Sequence, residues 1–152
     1  MNLENSFAVP ASPEQTWALL NDVPRVVPAM PGARLTEVVD ENTFKAAMAV
    51  KLGPVALEFA ADVQREVSAE DMRTTLAVRA RELRGRGGAT ATIESTLEAD
   101  GDGTRVTILT DLHMHGAVAQ YGRGVVPEVA GQLVGRFAEN LAAALGEGGA
   151  GS

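Results

Sequence analysis

Apolar and polar residues alternate along most of the chain between Leu3 and Met114. Residues that alternate in this way lie on opposite faces of a β-strand, so each run predicts a strand with one face turned toward the core. Short segments rich in glycine and acidic residues separate the runs, and tight turns of this kind join antiparallel neighbours. About six or seven strands are expected, with apolar faces at Leu3 to Val9, in a run beginning at Leu35, and at Phe44 to Val50, Val55 to Val63, Thr74 to Ala80, Ala91 to Leu97 and Val106 to Met114.

Two stretches follow a helical pattern instead. In "SPEQTWALLND", Ser12 is placed as an N-cap, Pro13 at the first helical position and Gln15 as the partner of a capping box. Near the C-terminus, apolar residues recur every three or four positions as far as Leu145, which predicts a long amphipathic helix that covers the sheet. A proline inside a helix costs about 3 kcal/mol, so this helix either begins or bends at Pro127.

A strand, short helices, a run of antiparallel strands and one long C-terminal helix together predict an α+β fold in which a curved sheet wraps the helix. Residues 24–32 contain three prolines and a glycine and form a stiff loop that carries apolar side chains such as Met30. A rigid apolar loop beside an open-sided gap is expected to act as a lid. Small residues at positions facing the helix would leave volume unfilled: Ala46, Ala61, Ala80, Ala91, Ser95 and Gly116.

Composition narrows the class of protein. The 152 residues fit one domain, which we place at residues 1–145, followed by a flexible glycine-rich tail at residues 146–152. No apolar run approaches the roughly 18 residues that cross a bilayer, and the sequence has neither cysteine nor a secretory signal at its start, so we expect a cytoplasmic protein. The net charge of −7 argues against nucleic acid as the main partner, because phosphate binding needs a basic face.

Four segments carry a resemblance to a known family: "SPEQTWALLND", "VVPAMPGA", "VKLGPVALEF" and "DGTRVTILTDLHMHGAVAQYG". They resemble the carbon monoxide dehydrogenase G-subunit family of the START-type helix-grip (SRPBCC) superfamily, over nearly the whole chain to about Leu145. Ala29, where members often have cysteine, and Pro127 depart from the family pattern. The resemblance implies a helix-grip fold and a non-catalytic accessory protein of a molybdenum-containing carbon monoxide dehydrogenase-type enzyme. It also implies peripheral contact with the inner face of the plasma membrane.

Periodicity predicts which side chains line the gap beneath the helix. One parity of each strand turns toward the helix, the three- and four-residue steps of the helix turn back, and Met30 closes the gap from the loop. Methionines adapt to varied ligands, and Tyr121 offers a polar tip for a carbonyl or hydroxyl headgroup. The predicted ligand-binding residues are Met30, Phe44, Met48, Phe59, Leu76, Val78, Met114, Tyr121, Val125 and Val129.

Our first hypothesis for the ligand is a respiratory quinone such as menaquinone, held without a covalent bond. The enzyme implied by the resemblance passes its electrons to a membrane chain, and an apolar cavity could bring the lipophilic acceptor to it. Burial of a prenyl tail contributes about 25 cal/mol per Å2. Ordering losses consume much of this driving force, so micromolar affinity is expected.

The sequence gives little sign of catalysis or of a metal site. It contains no nucleophile beside a base and no glycine-rich loop that leads from a strand into a helix. His113 and His115 lie two apart on one strand, but strand parity turns them to the face opposite Leu112 and Met114, toward solvent. A histidine pair without a third ligand rarely forms a zinc site, so no metal is expected.

Two other functions remain open at this point. The protein could be a structural adaptor that recruits the enzyme to the membrane and whose cavity is incidental. The cluster of arginines at 79, 81, 84 and 86 would then be either a solvated turn or a docking patch for acidic protein or anionic lipid. Alternatively it could be a small cyclase- or hydrolase-like enzyme, which would need polar groups in the cavity, and the inward candidates are Asn5, Thr74, Ser95, Thr110 and Tyr121.

Overall fold

The computed structural model describes residues 1–122 and 124–150, and its centre is one antiparallel sheet of seven strands. The strand order is β1-β7-β6-β5-β4-β3-β2, so every neighbouring pair except β1 and β7 is joined as a hairpin. This order confirms the predicted meander. The strands are β1 (Asn2–Val9), β2 (Ala33–Asp40), β3 (Thr43–Leu52), β4 (Val55–Ser68), β5 (Arg73–Glu82), β6 (Gly88–Asp100) and β7 (Gly103–His115).

The first helix, α1 (Pro13–Leu20), begins with the predicted capping box. The Gln15 amide donates to Ser12 Oγ at 3.2 Å, and the Ser12 amide donates to Gln15 Oε1 at 3.3 Å. These two bonds satisfy amides that the helix itself leaves without a partner. The proline-rich segment that follows forms α2 (Val23–Val26) and a single 3-10 turn (Val27–Ala29).

Two helices follow the last strand, α3 (Ala117–Gly122) and α4 (Val126–Ala150). Pro127 lies in the first turn of α4, where its missing amide has no helical partner to lose, so the helix begins at this proline. The predicted end near Leu145 is too early, because glycine propensity alone disfavours helix whereas an established helix adds one bond per further residue. The division into domain and tail at that point stays a prediction. No helix in the described ranges is both long and apolar enough to cross a membrane.

The buried apolar residues form two clusters at different places along α4. The first cluster joins β1, β6, β7, α1 and the C-terminal half of α4, where Phe7 and Phe137 meet edge to face at 6.1 Å between ring centroids. The second cluster joins the β3–β4 hairpin and α3, with Val125 and Val129 packed against it. The first contains Val9, Leu19, Leu97, Val106, Ile108, Phe137 and Leu141, and the second contains Leu52, Leu57, Phe59 and Val118.

Candidate functional site

Between the two clusters, the sheet face turned toward α4 carries apolar side chains that are only half-buried. Val63, Val78 and Ala91 are paired in one row across β4, β5 and β6. Alternation along β4 places this row on the same face as Leu57 and Phe59 of the second cluster, but within the described residues the row belongs to neither cluster. We call these residues the floor: Ala46, Ala61, Val63, Leu76, Val78, Ala91 and Leu112.

Leu133 of α4 lies over the floor. Helix positions four apart share a face, and on this face Val129 packs against the second cluster while Phe137 is buried in the first. Leu133 lies midway between them, is half-buried and is grouped with neither cluster. Contacts of α4 with the sheet are to β1 and, less extensively, to β3. The helix therefore spans an apolar gap above the middle strands.

The proline-rich segment bridges one edge of the sheet and α4. Its 3-10 turn contacts both β2 and α4, and Asn140 Nδ2 donates to the carbonyl oxygen of Ala29 at 2.8 Å. Gly32 holds the other end of the segment, since its carbonyl accepts from the Ala49 amide at 2.9 Å. Gly32 has a φ of +82°, and a Cβ there would lie 2.2 Å from Ala49 O, so only glycine allows this approach. The segment is thus a fixed wall.

Five of the ten predicted site residues come together at the second cluster. Met48, Met114, Val125 and Val129 pack, half-buried, against that cluster, of which Phe59 is a buried member. The sequence predicted this grouping correctly because strand parity and helix period both hold here. Whether these residues touch a ligand stays a prediction.

The other predicted residues are distributed along the gap. Leu76 and Val78 are part of the floor, whereas Met30 packs against the first cluster instead of beside Met48. The side chain of Tyr121 falls outside what the structure describes. Sequence reasoning missed Leu133, although its position in the helical repeat after Val129 gave a signal for it.

Phe44 lies at one end of the gap beneath Arg65. The Arg65 guanidinium carbon is 5.2 Å from the centroid of the Phe44 ring, which is a cation–π geometry. Arg65 Nη1 also donates to the carbonyl oxygen of Asn21 at 2.8 Å, and Nη2 to that of Glu41 at 2.9 Å. This arginine therefore connects α1, the β2–β3 turn and β4, and Phe44 is committed to structure.

The inward polar candidates are few and differ in their freedom. Thr74 is buried, and its hydroxyl donates to Asn21 Oδ1 at 2.9 Å, so it serves the end of α1. Asn5, Ser95 and Thr110 are half-buried. Ser95 and Thr110 share the sheet face of the floor, and both are hydroxyl donors that could meet a carbonyl oxygen.

A buried carboxylate, Glu82, lies on the floor side at the opposite end of β5, in register with Phe59. Its Oε1 accepts from the Arg84 amide at 2.9 Å and the Arg86 amide at 3.2 Å. Burial raises the pKa of Glu82, but those two amides and the Arg86 guanidinium outweigh this effect and hold the pKa below its ordinary value. Its charge is therefore used to hold the β5–β6 turn.

The two histidines face solvent, as strand parity predicts. His113 is 69% exposed in its side chain, and its Nε2 lies 3.2 Å from Asp111 Oδ1. His115 is also exposed. Within residues 1–122 and 124–150, no group of three or more histidine, aspartate or glutamate side chains is arranged to hold a metal ion.

Comparison with solved structures identifies the fold. A conserved protein from Geobacillus kaustophilus is similar with a TM-score of 0.85 and 20% identity, over 97% of this chain and 96% of that one. A protein from Thermus thermophilus gives 0.67 and 15% identity over 95% and 99% of the two chains. The Zhui aromatase/cyclase from a Streptomyces species gives 0.66 and 16% over 97% and 92%. These likenesses show the helix-grip fold.

Sequence comparison identifies the family. A search of curated proteins found no match. The family model for the carbon monoxide dehydrogenase G subunit (CoxG) matches residues 6–146, which include all seven strands, the proline-rich wall and most of α4. This protein therefore belongs to the CoxG family of carbon monoxide dehydrogenase, an accessory-subunit family within the SRPBCC superfamily.

Proposed function

We propose that this protein is a non-catalytic accessory protein that binds an isoprenoid quinone, such as menaquinone, in the gap beneath α4. It thereby links a molybdenum-containing carbon monoxide dehydrogenase-type enzyme to the membrane electron-transport chain. The observation that carries the proposal is the half-buried apolar floor under Leu133. A contiguous apolar surface that a protein leaves uncovered is typical of a ligand groove.

The side chains around the gap suit a flat ring with a prenyl tail. The floor is built from alanine and valine at its centre, which leaves room above the sheet for a ring. Met48 and Met114 border it from the second cluster, and methionine adapts its shape to an irregular tail. Bulk in the gap should therefore affect binding more than charge does.

A quinone headgroup presents carbonyl oxygens that only accept hydrogen bonds. The half-buried hydroxyls of Ser95 and Thr110 are donors on the floor side of the sheet, and the Tyr121 hydroxyl is expected to be a third. None of these groups titrates near neutral pH. This supports binding and release over acid–base chemistry, since Glu82 is already engaged by backbone amides.

The first test fills the gap without changing the outer face of the sheet. Ala91→Phe adds a ring to the floor on β6, and Ala77→Phe adds the same ring to the exposed outer face of the neighbouring strand β5. Equilibrium dialysis against a short-tailed menaquinone would measure the dissociation constant. We expect Ala91→Phe to weaken binding at least tenfold, about 1.4 kcal/mol or more, and Ala77→Phe to leave it within about twofold of wild type.

A second variant guards against loss of folding. Val129→Trp adds bulk from the helix side instead of the sheet, and thermal melts show which variants remain cooperative. Equal binding by both phenylalanine variants and by Val129→Trp would contradict a site in the gap. If the wild-type protein binds no lipophilic molecule, the carrier proposal fails and the membrane-recruitment adaptor takes its place.

A further inference from the structure

The turn between β5 and β6 brings exposed arginines and an exposed leucine together. Arg81 at the end of β5 and Arg84 in the turn are both exposed. Leu83 between them is 54% exposed, more than any other large apolar side chain in the described part of the chain. We call residues 81–87 the arginine tip. Since the whole chain carries a net charge of −7, this basic tip is not a consequence of general composition.

The arginine tip is held in a fixed shape. Besides the two amide bonds to Glu82 Oε1, the Glu82 amide donates to the Gly87 carbonyl at 2.8 Å and the Leu83 amide to the Glu58 carbonyl at 2.8 Å. Gly87 has a φ of +108°, and a Cβ on it would lie 2.1 Å from His115 O. A surface that is already ordered loses little conformational entropy when it binds.

The arginine tip adjoins the end of the molecule where the second cluster borders the gap. The Val118 amide of α3 donates to the Arg86 carbonyl at 2.8 Å, so the tip is fastened directly to α3. Val118 is itself buried in the second cluster, against which Val125 and Val129 pack. Whatever the tip contacts therefore lies close to the N-terminal end of α4.

Nearby acidic groups leave two of the arginines uncommitted. Glu82 lies 3.9 Å from Arg86 Nε and offsets that charge. Glu58 is exposed on the adjacent strand. Across residues 1–122 and 124–150, no carboxylate comes within 4.0 Å of the guanidinium groups of Arg81 or Arg84.

We propose that the arginine tip docks on an anionic lipid bilayer, with Arg81 and Arg84 at the headgroups and Leu83 inserted at the headgroup–acyl boundary. An apolar side chain flanked by cations matches a surface whose charge is negative and whose interior is apolar. A single hairpin tip is too small for the roughly 800 Å2 per partner that a stable protein interface buries. The bilayer is therefore the better match, and its use for loading a ligand rests on the proposed function.

The experiment is co-sedimentation of the full chain with vesicles. Pure phosphatidylcholine vesicles are compared with vesicles that also contain phosphatidylglycerol, at low and high salt. We expect the wild-type protein to bind only the anionic vesicles and to dissociate at high salt. Arg81→Gln/Arg84→Gln should reduce binding about twentyfold, because each basic residue near an anionic membrane contributes roughly fivefold. Leu83→Ser should reduce it by several-fold.

Matched controls keep the chemistry and move the position. Arg25→Gln/Arg34→Gln removes two exposed arginines outside the tip. Leu109→Ser removes a leucine that is 43% exposed on the outer face of β7. Both controls should bind anionic vesicles as the wild type does. Equal losses in tip variants and controls, or no binding by wild type, would overturn the proposal.

Two further outcomes separate this inference from its rivals. If tip variants keep vesicle binding but no longer bind the purified dehydrogenase, the tip docks on protein and the lipid proposal is wrong. Menaquinone binding in solution should be unchanged in the tip variants, while Ala91→Phe should lose quinone and keep vesicle binding. The failure of one proposal is thus distinguishable from the failure of the other.

Discussion

Glu82 shows how far the surroundings of a single residue can depart from what its type predicts. Glutamate is normally exposed, yet this side chain is 1% exposed. The sequence around it, "ARELRGRGG", shows only a glutamate among arginines at a turn. The structure shows that the backbone amides of Arg84 and Arg86 bind the carboxylate more directly than the arginine side chains do.

The first prediction at this scale concerns pH. Because the pKa of Glu82 is lowered on folding, its ionised form stabilises the protein above the unfolded pKa, whose ordinary value is 4.5. That contribution is lost as the pH falls through the folded pKa. We expect Glu82→Gln to lower the free energy of unfolding near neutral pH, and the difference from wild type to shrink once the pH is below about 4.

Urea unfolding of both proteins across this pH range would measure the effect. Glu58→Gln, which removes an exposed carboxylate from the neighbouring strand, is the control and should give no comparable dependence. A difference between wild type and Glu82→Gln that stays constant down to acidic pH would show that the charge of Glu82 contributes nothing. The role of the side chain would then be packing alone.

The elements of secondary structure were largely predictable because each carries a local signal. Alternation identified the strands, and Ser12, Pro13 and Gln15 marked the start of α1. The two exceptions are the bounds of α4 and the irregular register of β2, which shifts between Leu35 and Glu37. Both depend on hydrogen bonding to partners that local sequence does not specify.

The element-scale prediction tests where α4 begins. Pro127→Ala should change the free energy of unfolding by no more than about 0.5 kcal/mol, because a first-turn proline has no helical hydrogen bond to lose. Gln132→Pro, at an exposed position one turn further on, should cost about 3 kcal/mol or more. Chemical denaturation followed by circular dichroism measures both. Similar costs for the two substitutions would place the start of the helix elsewhere.

At the scale of the whole molecule, stability and ligand binding occupy different parts of α4. The C-terminal half of the helix is buried in the first cluster, where Leu141 is 0% exposed. Leu133, two turns earlier, spans the gap and is packed in neither cluster. This division lets the gap stay open without loss of the fold, because the first cluster provides the anchoring contacts.

The same truncation at these two leucines tests the division. Leu141→Ala should lower the free energy of unfolding by about 3–5 kcal/mol, because it leaves a cavity in a packed core. Leu133→Ala should cost only about 1 kcal/mol, because less contact is lost at a half-buried site. Denaturant unfolding measures both values. Equal costs would mean that Leu133 is ordinary core and that the gap beneath it is filled.

The sequence by itself determined the class of fold and the inward or outward side of nearly every strand residue. The physical reason is that a strand has a period of two and a helix a period of 3.6, so apolar spacing along the chain reports which face is buried. That reasoning placed Met48, Phe59, Met114, Val125 and Val129 together and turned the histidines outward.

Only the tertiary structure decided where along each buried face the protein fills its core and where it leaves a gap. Parity treats Phe44 and Val78 alike, yet Arg65 covers Phe44 while Val78 lies on the open floor. Helical period likewise treats Leu133 and Leu141 alike. The difference arises from the path of α4 across the sheet and from the wall formed by residues 24–32, which are set by contacts between elements distant in sequence. A local pattern carries no information on such distances.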